Sequence, residues 1–63
     1  MNKVEVGSIL KFGGMTLRVT DIRGTWMKCD YLASDGTWKP RGRTESRKKI
    51  AEMILDGRAE VVQ

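Results

Sequence analysis

The chain has 63 residues, of which 40% are hydrophobic and 32% are charged, so we expect one small domain, residues 1–63, with few buried positions free for chemistry. Its single cysteine and its lack of histidine exclude an internal disulfide and a zinc site of the usual Cys and His type, and we expect neither a metal nor a cofactor. No apolar run exceeds three residues, which excludes a spanning helix, and we expect a cytoplasmic protein with no signal peptide and no membrane association.

The first third of the chain predicts two strands. Residues 4–12 form the first of them, with a bend or bulge at Gly7 and Ser8. Apolar and polar residues alternate over residues 15–19, which is typical of a half-buried strand. Ile22 breaks this alternation, and the break predicts a bulge near Asp21.

Residues 25–33 predict a third strand. The more apolar of its two faces carries Met27, Cys29, Tyr31 and Ala33, and we expect that face to contact the core. The Cys29 thiol is then buried rather than reactive. Trp26 lies on the opposite, polar face and is predicted to be exposed.

A hairpin is predicted after the third strand, because Asp35 and Gly36 favour the backbone conformations of tight turns. A two-residue turn would point Trp38 inward, whereas a three-residue turn would pair it with Leu32 and point it outward. Pro40 has no N–H to donate, so the fourth strand either ends there or lies at an edge of the sheet.

A single helix is predicted near the end of the chain. Thr44 or Ser46 can cap it, and it runs to about Asp56, where Gly57 terminates it. Its broad apolar face, which we expect to pack on the sheet, consists of Ile50, Ala51, Met53, Ile54 and Leu55. Residues 58–63 form a last short strand, whose open edge would allow a homodimer.

Four strands, a helix and a strand predict a mainly β fold of the α+β class, with strands that curl around one core. This order of elements resembles the SH3-like small β-barrel, in which a helical turn or short helix commonly precedes the final strand. The resemblance implies a five-stranded barrel of order β-β-β-β-α-β. It also implies binding of nucleic acids, peptides or proteins, without deciding among them.

The positive charge of the chain is concentrated in residues 39–49, called here the basic segment. It holds six of the twelve basic residues and one acid, Glu45, for a local charge of +5, while the remaining residues carry a net −1. Its basic residues are Lys39, Arg41, Arg43, Arg47, Lys48 and Lys49. Such a concentration favours a polyanionic partner.

The first part of the basic segment, Lys-Pro-Arg-Gly-Arg at residues 39–43, is predicted to be a loop and resembles the Pro-Arg-Gly-Arg core of an AT-hook. The resemblance implies that Arg41 and Arg43 enter the minor groove of A·T-rich DNA, that Gly42 lets the backbone approach the groove, and that Lys39 touches phosphate. The second proline of that family is absent. The alternative is a strand end followed by a turn, with solvated arginines.

The second part of the basic segment places Arg47, Lys48 and Lys49 in the first turn of the helix, where the helix dipole disfavours cations. Local stability therefore does not explain their position unless an anion is near. The alternative is that Lys48 and Lys49 pair with Glu52, and Lys49 also with Glu45, at helical spacing.

We therefore expect a small nucleic-acid-binding protein of phage or mobile-element type that contacts DNA, rather than RNA, through the basic segment, with Trp26 available to stack on bases. The alternative is a protein-interaction module, for example an inhibitor similar to an anti-CRISPR protein, that docks the same residues on an acidic partner surface. We expect no enzymatic activity, because the chain offers no nucleophile with an evident base and no phosphate-binding glycine loop.

Overall fold

The computed structural model describes residues 4–63 as five strands and one helix. In chain order these are β1 (Ile9–Phe12), β2 (Met15–Arg23), β3 (Trp26–Leu32), β4 (Trp38–Ser46), α1 (Arg47–Leu55) and β5 (Ala59–Val61). The strands form one antiparallel sheet in the order β4-β3-β2-β1-β5, so β4 and β5 are its edges. The predicted α+β class and element order are confirmed. No helix in this part of the chain is long and apolar enough to cross a membrane.

A β-bulge interrupts the pairing of β2 with β3. Val19 pairs with Cys29 and Asp21 pairs with Lys28, so Thr20 is an extra residue in β2. The hydroxyl of Thr20 donates a hydrogen bond to the Lys28 carbonyl at 3.1 Å. The bulge that the broken alternation predicts is therefore confirmed, and its effect is to increase the local twist and bend β2.

A larger bulge lies on the other side of β3. Pro40 of β4 pairs with Asp30 and Thr44 pairs with Lys28, so residues 41–43 together face Cys29. Gly42, at the middle of this bulge, has a φ of +83°, a conformation that side chains with a Cβ rarely adopt. The prediction of residues 39–43 as a loop is wrong, because the strand continues through the bulge. Pro40 is tolerated because β4 is an edge strand.

The core lies between the sheet and α1. Its buried side chains are Leu10, Leu17, Val19, Met27, Cys29 and Ile50. The first five come from β1, β2 and β3, and Ile50 is the buried residue of α1, at 2% exposure. The helix thus contributes one fully buried side chain to the core, and Met53 and Ile54 pack against it while only partly buried.

The ends of α1 follow the predicted capping residues. The Ser46 hydroxyl accepts the backbone N–H of Lys49 at 3.2 Å, which makes Ser46 the N-cap. At the other end the N–H of Gly57, which has a φ of +79°, donates to the Ile54 carbonyl. Both termini of the helix are therefore fixed by residues next to it in sequence.

The first strand is shorter than predicted. β1 begins at Ile9 because the preceding residues form a turn, in which the N–H of Ser8 donates to the Glu5 carbonyl and Gly7 has a φ of +95°. The N–H of Gly7 also donates to the Val19 carbonyl. The N–H of Val19 donates in turn to the Ser8 carbonyl at 2.9 Å, so Gly7 and Ser8 together face Val19 of β2, and the bend or bulge predicted at these two residues is confirmed.

The apolar faces predicted for β3 and α1 are only partly buried. Tyr31 is 36% exposed because it lies near the hairpin end of β3, paired with Lys39 on the edge strand. Leu55 is 87% exposed at the last position of the helix, and Ala51 is also exposed. A helix lying on a sheet buries a narrow stripe, here Ile50 with the half-buried Met53 and Ile54.

This burial pattern predicts opposite outcomes for two apolar truncations in one helix. Ile50→Ala should lower the free energy of unfolding by about 2–5 kcal/mol, because it leaves a cavity at the centre of the core. Leu55→Ala is the matched control and should change it by less than about 0.5 kcal/mol. Urea denaturation followed by circular dichroism measures both values, and a similar loss in the two variants would contradict this packing of α1.

Candidate functional site

The basic segment is not a single surface patch, because it follows the edge strand β4 and then enters α1. At one end Lys39 pairs with Tyr31, and at the other Ser46 pairs with Trp26. These two positions are five residues apart on β3, which corresponds to roughly 17 Å along a strand. The predicted site residues therefore divide into groups with different surroundings.

Arg41 is held inside the protein rather than on the surface. Its Nε donates to Glu45 Oε2 at 2.9 Å, its Nη1 donates to Met15 Sδ at 3.2 Å, and its side chain is only 12% exposed. The Glu45 side chain is 13% exposed. This mostly buried ion pair lies within β4, the bond to Met15 connects Arg41 to β2, and together they remove Arg41 from the surface available to a ligand.

Cys29 lies beside this ion pair and is 5% exposed, in agreement with the expected burial. Burial raises the pKa of the Cys29 thiol, and the negative charge of Glu45 raises it further, while Arg41 opposes the shift. The thiol is consequently protonated at neutral pH and is a structural group.

Gly42 and Arg43 occupy the outer part of the bulge. Arg43 donates through Nε to Glu45 at 3.2 Å, but its side chain is 71% exposed. In the AT-hook resemblance both arginines reach the ligand, whereas here Arg43 alone extends into solvent and Arg41 is bonded to Glu45 and Met15. The glycine provides the left-handed backbone conformation that separates the two arginines.

The start of α1 presents three adjacent cations to solvent. Arg47, Lys48 and Lys49 are exposed, and the first turn contains no acid. Within residues 4–63 none of the three forms an ion pair. The pairing considered for Lys49 with Glu45 does not form, since Glu45 is engaged by two arginines of β4.

Trp26 lies next to these cations, and its predicted exposure is confirmed at 54%. It pairs with Ser46, the residue that caps α1, and the neighbouring Thr25 carbonyl accepts the N–H of Arg47 at 2.8 Å. The fold thus places an exposed indole beside the helix start. Sequence alone could predict each feature but not their juxtaposition, which depends on the register of β3 and β4.

A second aromatic position lies at the other end of the same sheet face. Trp38 pairs with Leu32, the register of the three-residue turn, and it is half-buried on the outer face. The Arg18 guanidinium carbon is 4.6 Å from the centroid of the Trp38 ring, and Arg18 donates to Asp30 at 3.4 Å. The sequence analysis missed Arg18, although the alternation in β2 places it on the polar face.

A groove of about 380 Å³ lies between these two aromatic positions, where the bulge of β4 separates its backbone from β3. The residues that line it include Thr20, Lys28, Asp30, Gly42 and Thr44. Lys28 is exposed and was also missed, because a single lysine in a strand gives no signal of its own.

We compared the chain with models of known protein families, with curated proteins and with solved structures, and none of them matches. Within residues 4–63 no cluster of histidine, cysteine or carboxylate side chains is suited to hold a metal ion. What bears on function is therefore the set of exposed cations and aromatic rings of β3, β4 and α1.

The role assigned to Glu45 predicts a large stability difference between two acid-to-alanine changes. Glu45→Ala should lower the free energy of unfolding by about 3 kcal/mol, because it leaves the Arg41 charge mostly buried without a partner. Asp56→Ala removes the exposed pair with Arg58, where both side chains are more than half exposed, and should cost less than about 1 kcal/mol. Urea denaturation of both variants provides the test, and an equal effect would argue against a buried Arg41–Glu45 pair.

Proposed function

We propose that this is a small basic nucleic-acid-binding protein that contacts phosphate through the start of α1. The observation that carries the proposal is the group formed by Arg47, Lys48 and Lys49, which are exposed and have no acidic partner within residues 4–63. They lie at the end of the helix where backbone N–H groups and the helix dipole also favour an anion. Exposed Trp26 beside them adds a stacking surface for a base.

The distribution of ion pairs supports the same surface. Five arginines form ion pairs with acids, namely Arg18, Arg23, Arg41, Arg43 and Arg58. In the described part of the chain, the cations without such a pair are Lys11, Lys28, Lys39, Arg47, Lys48 and Lys49. All of these except Lys11 belong to β3, β4 or α1. Charge that is free to attract a polyanion is therefore concentrated in these three elements, which are neighbours along the sheet or in sequence.

We further infer that the sheet is an SH3-like small barrel. In support, consecutive strands pair as neighbours, two bulges flank Cys29, and the helix connects one edge strand to the other. Bulges are the usual means by which a short sheet curls enough to enclose a core. Barrels of this kind serve in binding, but the fold does not select the ligand.

The same side of the domain also suits the alternative, docking on an acidic protein surface. Tryptophan and arginine are among the residues most enriched at the energetic centres of protein interfaces, and here the backbone N–H of Arg47 bonds to Thr25, the residue before exposed Trp26. We favour nucleic acid because three adjacent cations at a helix start match a row of phosphates without requiring a particular partner shape.

The proposal predicts DNA binding with a strong salt dependence. For three phosphate contacts, the logarithm of the binding constant for duplex DNA should fall with the logarithm of salt concentration with a slope of about −3. Lys48→Gln should make the slope less negative by about 0.9, whereas Lys11→Gln, an equal charge change on β1, should leave it unaltered. Fluorescence polarisation with a labelled duplex between about 50 and 200 mM salt measures these slopes.

An absence of binding to duplex and single-stranded DNA and RNA at the lowest salt would refute the proposal. Recovery of one stoichiometric acidic protein, with the complex lost after charge reversal at Arg43 and Arg47, would then establish the alternative.

A further inference from the structure

We propose that the outer face of β2, β3 and β4 is a platform for single-stranded nucleic acid, with one base stacked at Trp26 and another at the Arg18–Trp38 pair. Between these two positions the nucleic-acid strand crosses the groove beside Lys28. This inference rests on the proposed nucleic-acid function and goes further, because it names single strands rather than duplexes as the ligand and gives the path they follow.

Both aromatic positions face the same side of the sheet. Trp26, Asp30 and Leu32 alternate along β3 and therefore project from one face, and Trp38 is directly opposite Leu32. The contact of Arg18 with both Asp30 and Trp38 agrees with that assignment. Trp26 and Leu32 are six residues apart, so the two stacking positions are separated by roughly 20 Å along the strand.

Each position offers a surface suited to a base. Trp26 is 54% exposed, and the one cation found over an aromatic ring in residues 4–63 is Arg18 over Trp38, not over Trp26. At the other position the Arg18 guanidinium lies over the Trp38 ring, and its hydrogen bond to Asp30 fixes it there. Guanidinium planes stack on bases much as aromatic rings do, so Arg18 with Trp38 beneath it forms a second stacking site.

The groove lies between the two stacking positions and is large enough for a base or a phosphate, at about 380 Å³. A Cβ built at Gly42 would meet nothing within 4 Å, so this side of the groove is open to solvent. Lys28, Thr20 and Thr44 line the groove, together with Asp30, whose carboxylate is paired with Arg18. A nucleic-acid strand that runs from Trp26 to Arg18 would therefore pass these polar groups.

The charges place the phosphates of such a strand on the β4 side of the face. Arg43 at the bulge and Arg47 to Lys49 at the start of α1 are exposed along that edge. In a duplex the base faces are stacked on one another and cannot reach the two platform positions. At about 3.4 Å per stacked base, the 20 Å distance corresponds to about six nucleotides, and to fewer in an extended strand.

The test uses the two single-tryptophan variants, Trp26→Phe and Trp38→Phe, titrated at low salt with oligothymidylates of about 2 to 12 nucleotides and with a hairpin duplex. We expect both remaining tryptophans to be quenched by oligomers that span the two positions, and at least about tenfold tighter binding of the single strand than of the duplex. Trp26→Ala should weaken single-strand binding by about 5- to 100-fold, with Trp26→Phe retaining most of the affinity. Its salt slope should not change, since no phosphate contact is lost.

Leu55→Ala is the control for loss of an exposed apolar side chain away from this face and should bind as the unaltered protein does. If Trp38→Phe does not fold, Trp26→Phe still reports quenching of Trp38, and Arg18→Gln should weaken binding of oligomers long enough to reach both positions.

Salt-dependent binding in which the duplex is preferred, or in which Trp38 is not quenched by any oligomer, would overturn the platform and leave the proposed function intact. Failure to bind either nucleic acid at low salt would overturn both.

Discussion

The structure depends on the extra residues that flank Cys29 on both neighbouring strands. Thr20 is inserted in β2 on one side, and residues 41–43 of β4 replace a single partner on the other. A domain of this size has few side chains with which to fill a core, so its sheet must bend tightly around those it has. Two bulges at the same point of β3 supply that bend, because each one increases the twist of the strand that carries it. The positions of Arg41, Arg43 and Glu45 in β4 follow from the larger of the two.

The larger bulge places two arginines of β4, Arg41 and Arg43, in different surroundings. Arg41, before Gly42, turns toward the core and bonds to Glu45, while Arg43, after it, stays in solvent. A continuous strand would have placed these two arginines on one face, since residues two apart share a side. The bulge and Pro40 also interrupt the edge of the sheet, which makes β4 a poor template for pairing with another chain.

Those parts of the fold that depend on neighbouring residues could be predicted from sequence. The broken alternation at Ile22 predicted the bulge in β2, and Ser46, one of two candidate caps, and Gly57 predicted the ends of α1. Each of these signals depends only on residues a few positions apart in the chain. The continuation of β4 could not be predicted in this way. Proline with glycine two residues later is typical of a turn, and only pairing with Asp30 and Lys28 of a distant segment makes this stretch a strand.

The same limit applies to the candidate site. The exposure of Trp26 and the cations of the first helical turn follow from local patterns, but the pairing of Glu45 with Arg41 does not. At the sequence level Glu45 was equally well placed to neutralise Lys49 through helical spacing. Because the strand continues to Ser46, Glu45 lies outside the helix and turns toward the bulge instead. Glu45 is therefore not available to neutralise the helix start, a result that no count of charges along the chain could provide.

The cations at the start of α1 lower the stability of the free protein, and this cost is relevant to function. A domain with so small a core has little free energy of unfolding to lose, and cations at the positive end of a helix lower it. Acids in the first turn would raise it, yet Arg47, Lys48 and Lys49 occupy those positions and Trp26 adds an exposed ring beside them. A bound phosphate would make the charges at this helix end stabilising instead of destabilising. Its negative charge attracts both the three cationic side chains and the backbone N–H groups of the first turn. A ligand of this kind that bound only the folded state would raise its stability in proportion to the logarithm of ligand concentration.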